Sequence, residues 1–232
     1  MCGRYTLENV QELSERFQAR QLQFELASTY NIAPSQELPV VVTDQDGDRE
    51  IRLMHWGLIP RWQRQGHGSI APINARAETV AEKPMFRDLI RWRRCLVPAS
   101  GFYEWQARAH RKQPYFVGVK DDPLFAFAGL YDVVEHDDER SAASFVILTT
   151  HANALLSPIH GRMPVILRQE DEGLWLNRDV TDVRAFEPLF DPLPSDRLVA
   201  YPVATSVNDA RHDGPSLIRP RTSRQLPLAR AS

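Results

Sequence analysis

Cysteine, lysine and long apolar runs are what this chain of 232 residues has least of. Two cysteines, Cys2 and Cys95, cannot build a disulfide framework, so a reducing cytoplasm is the expected setting. No stretch approaches the roughly 18 consecutive apolar residues of a membrane-spanning helix, and no apolar signal-peptide core opens the chain. No membrane partner is therefore expected. The seven histidines and two cysteines show no ligand-spaced pairs, which argues against a metal, and no cofactor is expected. Lysine occurs three times (Lys83, Lys112, Lys120) against 25 arginines. Genome composition can cause such a bias, although the planar arginine fork also suits phosphate. Charge excess is missing too: 28 basic residues face 30 acidic ones, net −2, which excludes a uniformly basic nucleic-acid coat protein.

What is present describes an ordinary globular chain, 43% hydrophobic and 25% charged, long enough to bury a sizeable core. Its charges segregate. Arg49 to Arg94 holds 10 basic and 4 acidic residues, whereas 121–139 holds 7 acidic residues and no lysine or arginine. One positive face on a neutral body is the expectation.

Periodicity gives a coarse outline. Leu7, Val10, Leu13 and Phe17 recur at helical spacing after Thr6, a candidate N-cap. Strands at 38–43 and 49–56 flank Asp46-Gly47, a hairpin signal. Residues 81–92 read as a helix, followed by strands at 94–98, 102–107, 114–119, 124–130, 144–150 and 163–167. Short helices at 151–157 and 181–189 and a strand at 197–203 complete the pattern. The fold class is α+β: a β-rich single domain with a barrel-like antiparallel sheet core and a few peripheral helices. The domain is expected to span 1–220, with a polar, disordered tail at 221–232.

Several residues could carry chemistry. Removal of Met1 leaves Cys2 with a primary amine and a thiol on adjacent carbons. Such a 1,2-aminothiol condenses with an aldehyde to an imine, which the thiol closes into a thiazolidine; alternatively it acts as a hydrolytic nucleophile. If 73–78 is extended, Asn74, Arg76 and Glu78 share one face, as in a binding groove or on any solvated strand. Glu104 lies in the aromatic run Gly101-Phe102-Tyr103-Glu104-Trp105, where poor solvation favours the protonated acid, unless it points from an edge to water. His160 and Arg162 stand on a loop bounded by Pro158, Gly161 and Pro164. Tyr30-Asn31-Ile32-Ala33-Pro34 and Trp56 to Trp62 offer stacking surfaces for unstacked bases, or simply core packing around turns.

Together, Met1-Cys2-Gly3-Arg4-Tyr5, Tyr30-Asn31-Ile32-Ala33-Pro34, Trp56-Gly57-Leu58-Ile59-Pro60, Asn74-Ala75-Arg76-Ala77-Glu78-Thr79, Gly101 to Trp105 and Ile159 to Pro164 occur in one order. In these six motifs, running from Met1 to about Pro220, the chain resembles the SRAP (SOS response-associated peptidase) family of abasic site processing proteins. The resemblance implies a monomeric partner of single-stranded DNA containing abasic sites, joined covalently to the lesion through Cys2 and shielding it during replication. It further implies that Asn74 orients the lesion, Glu104 assists ring opening and imine formation, and His160 protonates the opened sugar. Arg4, Arg76 and Arg162 match phosphate-contacting arginines, and Pro34 and Trp62 match residues that interrupt base stacking. Two departures stand out: Gly161 replaces an Asp common in the family, and residues 63–68 differ from its usual form.

Three rivals remain open at this stage. An N-terminal-nucleophile cysteine peptidase would use the same Cys2, Glu104 and His160. A plain single-strand DNA-binding module would not depend on Cys2. A lyase would nick the strand by β-elimination from an imine.

Overall fold

The computed structural model describes residues 2–20, 25–60, 71–108, 111–135 and 141–221. Among them the strands are β1 (Tyr5–Leu7), β2 (Thr29–Ile32), β3 (Glu37–Thr43), β4 (Arg49–Trp56), β5 (Asn74–Arg76), β6 (Arg94–Ala99) and β7 (Gly101–Arg108). They continue with β8 (Arg111–Val119), β9 (Phe125–Glu135), β10 (Ser141–His151), β11 (Arg162–Pro164), β12 (Ile166–Leu167) and β13 (Leu198–Pro202). The α-helices are single turns: α1 (Leu13–Arg16), α2 (Leu89–Trp92) and α3 (Glu172–Leu176).

Closure of one sheet organises the molecule. The β3–β4 hairpin turns at Asp46-Gly47; β3 continues to β6, β6 to β9, and β9 to β10. β10 then pairs in parallel with the end of β4, through Ser144 with His55 and Phe145 with Trp56, which closes a five-stranded barrel. The barrel is packed by Val40, Met54, Trp56, Val97, Phe127, Phe145 and Ile147, all fully buried. A second sheet, ordered β13-β8-β7-β1-β2, lies against it. Tyr5 of β1 ties the two together, edge-on to Trp56 at 5.2 Å and to Phe127 at 5.8 Å between ring centroids. Trp56 is thus a core residue, its indole N–H donating to the Ile73 carbonyl at 3.0 Å.

The α+β, barrel-cored class expected from sequence is the one observed, and several boundaries move. Thr6 caps no helix: Thr6 and Leu7 belong to β1, and only a 3₁₀ turn at Val10–Glu12 and α1 follow. The predicted 81–92 helix shrinks to α2: Pro84 excludes a continuous helix from 81, and residues 84–88 form turns that lead into Leu89. In place of a helix at 151–157, His151 ends β10 and residues 154–159 form turns, and Val183–Phe190 is a 3₁₀ helix with Pro188 inside it. Glu78 leaves the strand face of Asn74 and Arg76, since β5 ends at Arg76 and Ala77–Thr79 turns as a 3₁₀ helix. Trp62 and the tail beyond Arg221 lie outside the described residues.

Barrel packing leaves no room at Gly129 of β9. A Cβ there would stand 2.8 Å from Cys95 Sγ and 2.8 Å from Val97 Cγ2, both on the neighbouring β6. Gly129→Ala is expected to cost about 1–3 kcal/mol in urea unfolding, with part of the loss recovered by adding Cys95→Ala. Wild-type stability in Gly129→Ala would contradict this packing.

Candidate active site

β7 owes its two characters to strand alternation. Phe102 and Glu104 face the main core, while Tyr103 and Trp105 face a second cluster with Phe116, Val203 and Val207. A carboxylate therefore enters the protein interior on the same side as Phe102. Glu104 is 2% exposed, and burial raises its pKa above the usual carboxylate range against the opposing pull of His160.

β1 accompanies only the start of β7, at Gly101 and Phe102. Beside it stands Cys2, 0% exposed, with Sγ 3.9 Å from the Arg4 carbonyl. Burial and then the Glu104 carboxylate push its thiol pKa up. Asn74 reaches across from β5, its Nδ2 donating to the Cys2 carbonyl at 2.8 Å. Asn74 Oδ1 is buried and has no hydrogen-bond partner among the described residues.

His160 closes the group. Its Nδ1 lies 4.0 Å from Glu104 Oε2, receives the Arg162 backbone N–H at 3.0 Å and lies 3.1 Å from the Arg162 carbonyl. Acceptance from that N–H places the proton of a neutral ring on Nε2; a protonated ring donates to the carbonyl side. Gln106 Nε2 donates to the Pro158 carbonyl at 3.1 Å, fastening the histidine loop to β7. Gly161 does not leave this loop slack. Ala152 N donates to its carbonyl at 3.2 Å, and Ile159 N and His160 N both donate to Leu156 O. A side chain at Gly161 would meet open space within 4 Å.

Glu104 and His160 line a cleft of about 350 Å³ with Trp105, Lys112 and Asn208. Trp105 is fixed there by its indole N–H, which donates to Asn208 Oδ1 at 2.7 Å. Trp105, Lys112 and Asn208 were not singled out as site residues in sequence. Trp105 shares the aromatic run with Glu104, whereas no local signal marks Lys112 and Asn208, which cross-sheet packing brings to Glu104.

The three arginines differ in what they are free to do. Arg4 Nη1 donates to Asn31 Oδ1 at 2.7 Å and to the Val207 carbonyl at 2.9 Å. Arg162 Nη2 donates to Glu78 Oε2 at 2.9 Å, with Nη1 also on Glu78. Arg76 is exposed, with no ion pair among the described residues. Asn31 is a brace rather than a stacking surface: its Nδ2 faces the carbonyls of Val207, Asp209 and His212 at 3.3, 3.0 and 2.8 Å. Pro34 is half-buried in the turn between β2 and β3 and does not line the cleft. Nor does the arginine-rich stretch form one face. Arg94 is buried, its guanidinium donating to the carbonyls of Ile90, Arg91, Trp175 and Asn177, and Arg49 turns towards Glu172.

A family model described as SOS response associated peptidase (SRAP) matches residues 1–210. The chain belongs to the SRAP family. Among SRAP relatives, the Bacillus subtilis abasic site processing protein YoqW is 39% identical, covering 94% of this chain and 99% of its own. The Bacillus subtilis abasic site processing protein YoaM is 36% identical, covering 94% and 97% respectively. A crystal structure of a protein from Bacteroides thetaiotaomicron superposes with a TM-score of 0.84 at 30% identity, covering 95% of this chain and all of that one. Among the described residues of this SRAP chain, no group of three or more His, Cys, Asp or Glu side chains is placed to hold a metal, and no helix is long and apolar enough to cross a membrane.

Burying Glu104 has a consequence that pH reads out. A raised pKa means the native chain keeps this proton to higher pH than the unfolded chain does, so ionisation costs stability. The cost is absent below the ordinary glutamate value of about 4.3 and grows as pH rises through the raised native value. Glu104→Gln is therefore expected to gain thermal stability over the parent as pH rises from the ordinary glutamate value through the raised native one, and to hold that gain at higher pH. A gap that stays constant across that range would show that Glu104 is not forced to ionise in an apolar setting.

Proposed function

We propose that this SRAP protein senses abasic sites in single-stranded DNA and captures them covalently through Cys2 once Met1 has been removed. The observation that carries the reading is the hydrogen bond from Asn74 to the Cys2 carbonyl beside the Glu104–His160 pair. It fixes the backbone of the residue whose amine and thiol must meet one carbon atom. The names of YoqW and YoaM support the lesion class. The cleft of about 350 Å³ lies at the small end of ligand pockets, roughly 300–1,000 Å³, which suits a nucleotide without its base. An abasic nucleotide also bends out of the strand without the unstacking cost of a normal one.

One of His160 and Glu104 gives a proton to the ring oxygen while the other takes the C1′ hydroxyl proton, which opens the sugar ring to the aldehyde. The Cys2 amine adds to C1′ as one of its protons passes to the aldehyde oxygen; Glu104 then protonates the departing hydroxyl and takes up the second nitrogen proton, so that one water leaves and a neutral imine forms. Sulfur then adds to the imine carbon while the thiol proton passes to nitrogen, closing a five-membered thiazolidine. The unpartnered Asn74 Oδ1 is an acceptor for the amine or a sugar hydroxyl. The raised thiol pKa weighs against a peptidase that works through a standing thiolate.

Intact mass spectrometry tests the reading. Protein shown to lack Met1 is expected to gain the mass of an abasic single-stranded oligonucleotide less one water, in an adduct that survives SDS. Cys2→Ala abolishes this adduct, and Glu104→Gln slows its formation by about 10²-fold while leaving DNA binding in place. Failure of the Met1-free protein to form any adduct would end the proposal.

A further inference from the structure

We propose that Lys112 holds a phosphate of the lesion nucleotide at the mouth of the Glu104–His160 cleft. The inference rests on the abasic-site reading and adds to it a residue that neither the motifs nor the relatives assign.

Lys112 lines the cleft together with both acid–base groups. It is exposed and has no hydrogen bond or ion pair among the described residues, so its charge is uncommitted. Arg4 and Arg162, which the motifs nominate for phosphate, spend their guanidinium groups on Asn31, the Val207 carbonyl, Glu78 and Thr149. Of the nominated cations only Arg76 is similarly open. A sugar bound against the buried Glu104 acid brings its phosphates to the rim of a poorly solvated cleft, and a nearby cation offsets the cost of holding their charge there.

The local backbone favours this role. Lys112 stands opposite Ala107 across the β7–β8 ladder, so the residue directly across from it is small and uncharged. Trp105, on the same face and pinned by Asn208, gives the cleft a rigid wall beside it. Lysine offers a compact charge on a flexible stem, able to follow a phosphate whose sugar changes from ring to open chain. It is one of three lysines in a chain with 25 arginines.

Equilibrium binding to a single-stranded oligonucleotide carrying a tetrahydrofuran abasic analogue reads this contact without any crosslink, because the analogue has no aldehyde. Lys112→Gln is expected to bind about threefold to tenfold more weakly at 0.1 M salt, with the slope of log affinity against log salt shallower by about 0.7. Lys112→Arg should stay within about twofold of the parent. With uncharged methylphosphonates flanking the analogue, the parent and Lys112→Gln should bind alike. Parental affinity and slope in Lys112→Gln, or a loss that persists on the methylphosphonate strand, would overturn the proposal. So would a Lys112→Arg protein that binds normally yet crosslinks poorly to a true abasic site, since that marks an amine nucleophile. Absence of crosslinking by the parent, with the Lys112 effect on binding intact, would overturn the capture chemistry and leave this contact standing.

Discussion

Residues 144–149 of β10 pair in parallel first with the end of β4 and then with β5, and the geometry of the site follows from that register. Ile147 opposite Asn74 sets which way the Asn74 amide points. A slip of one residue would turn it to the other face and remove the bond to the Cys2 carbonyl. The same strand carries β11 near its far end, with His151 opposite Arg162, so it also places the backbone N–H that engages His160. One strand thus closes the barrel and holds both the residue that fixes Cys2 and the loop of the histidine. These are non-local pairings across roughly 70 to 90 residues, which form late because loop closure must come first.

Polar groups are buried here at the expense of stability. Glu104, the Cys2 thiol and Asn74 Oδ1 all sit where a plain core would place hydrocarbon. The surrounding barrel tolerates them because its aromatic and aliphatic packing is continuous on the other side. Arg94 shows a different solution to the same problem. Its guanidinium is satisfied by four backbone carbonyls and lies 4.5 Å above the Phe186 ring, which ties α2 to the segment after α3 without joining the chemistry.

Strands were the legible part of the sequence, and the reason is local. Asp46-Gly47 specifies its hairpin turn within a few residues, and alternation in 101–108 separates Glu104 from Tyr103 and Trp105 without tertiary knowledge. Helices were misread where another force overrode spacing. Leu7, Val10, Leu13 and Phe17 are correctly apolar, yet β1 is held extended by partners on both sides, β2 and β7. Cys2, Asn74, Glu104 and His160 are marked one by one by their motifs; the family resemblance implies that they share one site, whereas spacing along the chain does not. The charge count misled for a related reason. Adjacent arginines such as Arg93 and Arg94 have opposite fates, one beside Asp132 and half-buried, the other inside.

The ends of the chain are stitched together: Arg4 bonds to the Val207 carbonyl, and Asn31 faces those of Val207, Asp209 and His212. During synthesis the segment that braces the start of the chain is therefore among the last to arrive. At about 5–20 residues per second, roughly 10–40 seconds separate the first residues from residue 212. Throughout that interval the amino terminus lacks its brace and is open to a processing enzyme. The Met1 removal that the proposed capture requires thus falls, by folding order alone, before completion of the pocket around Cys2, with no separate signal needed to schedule it.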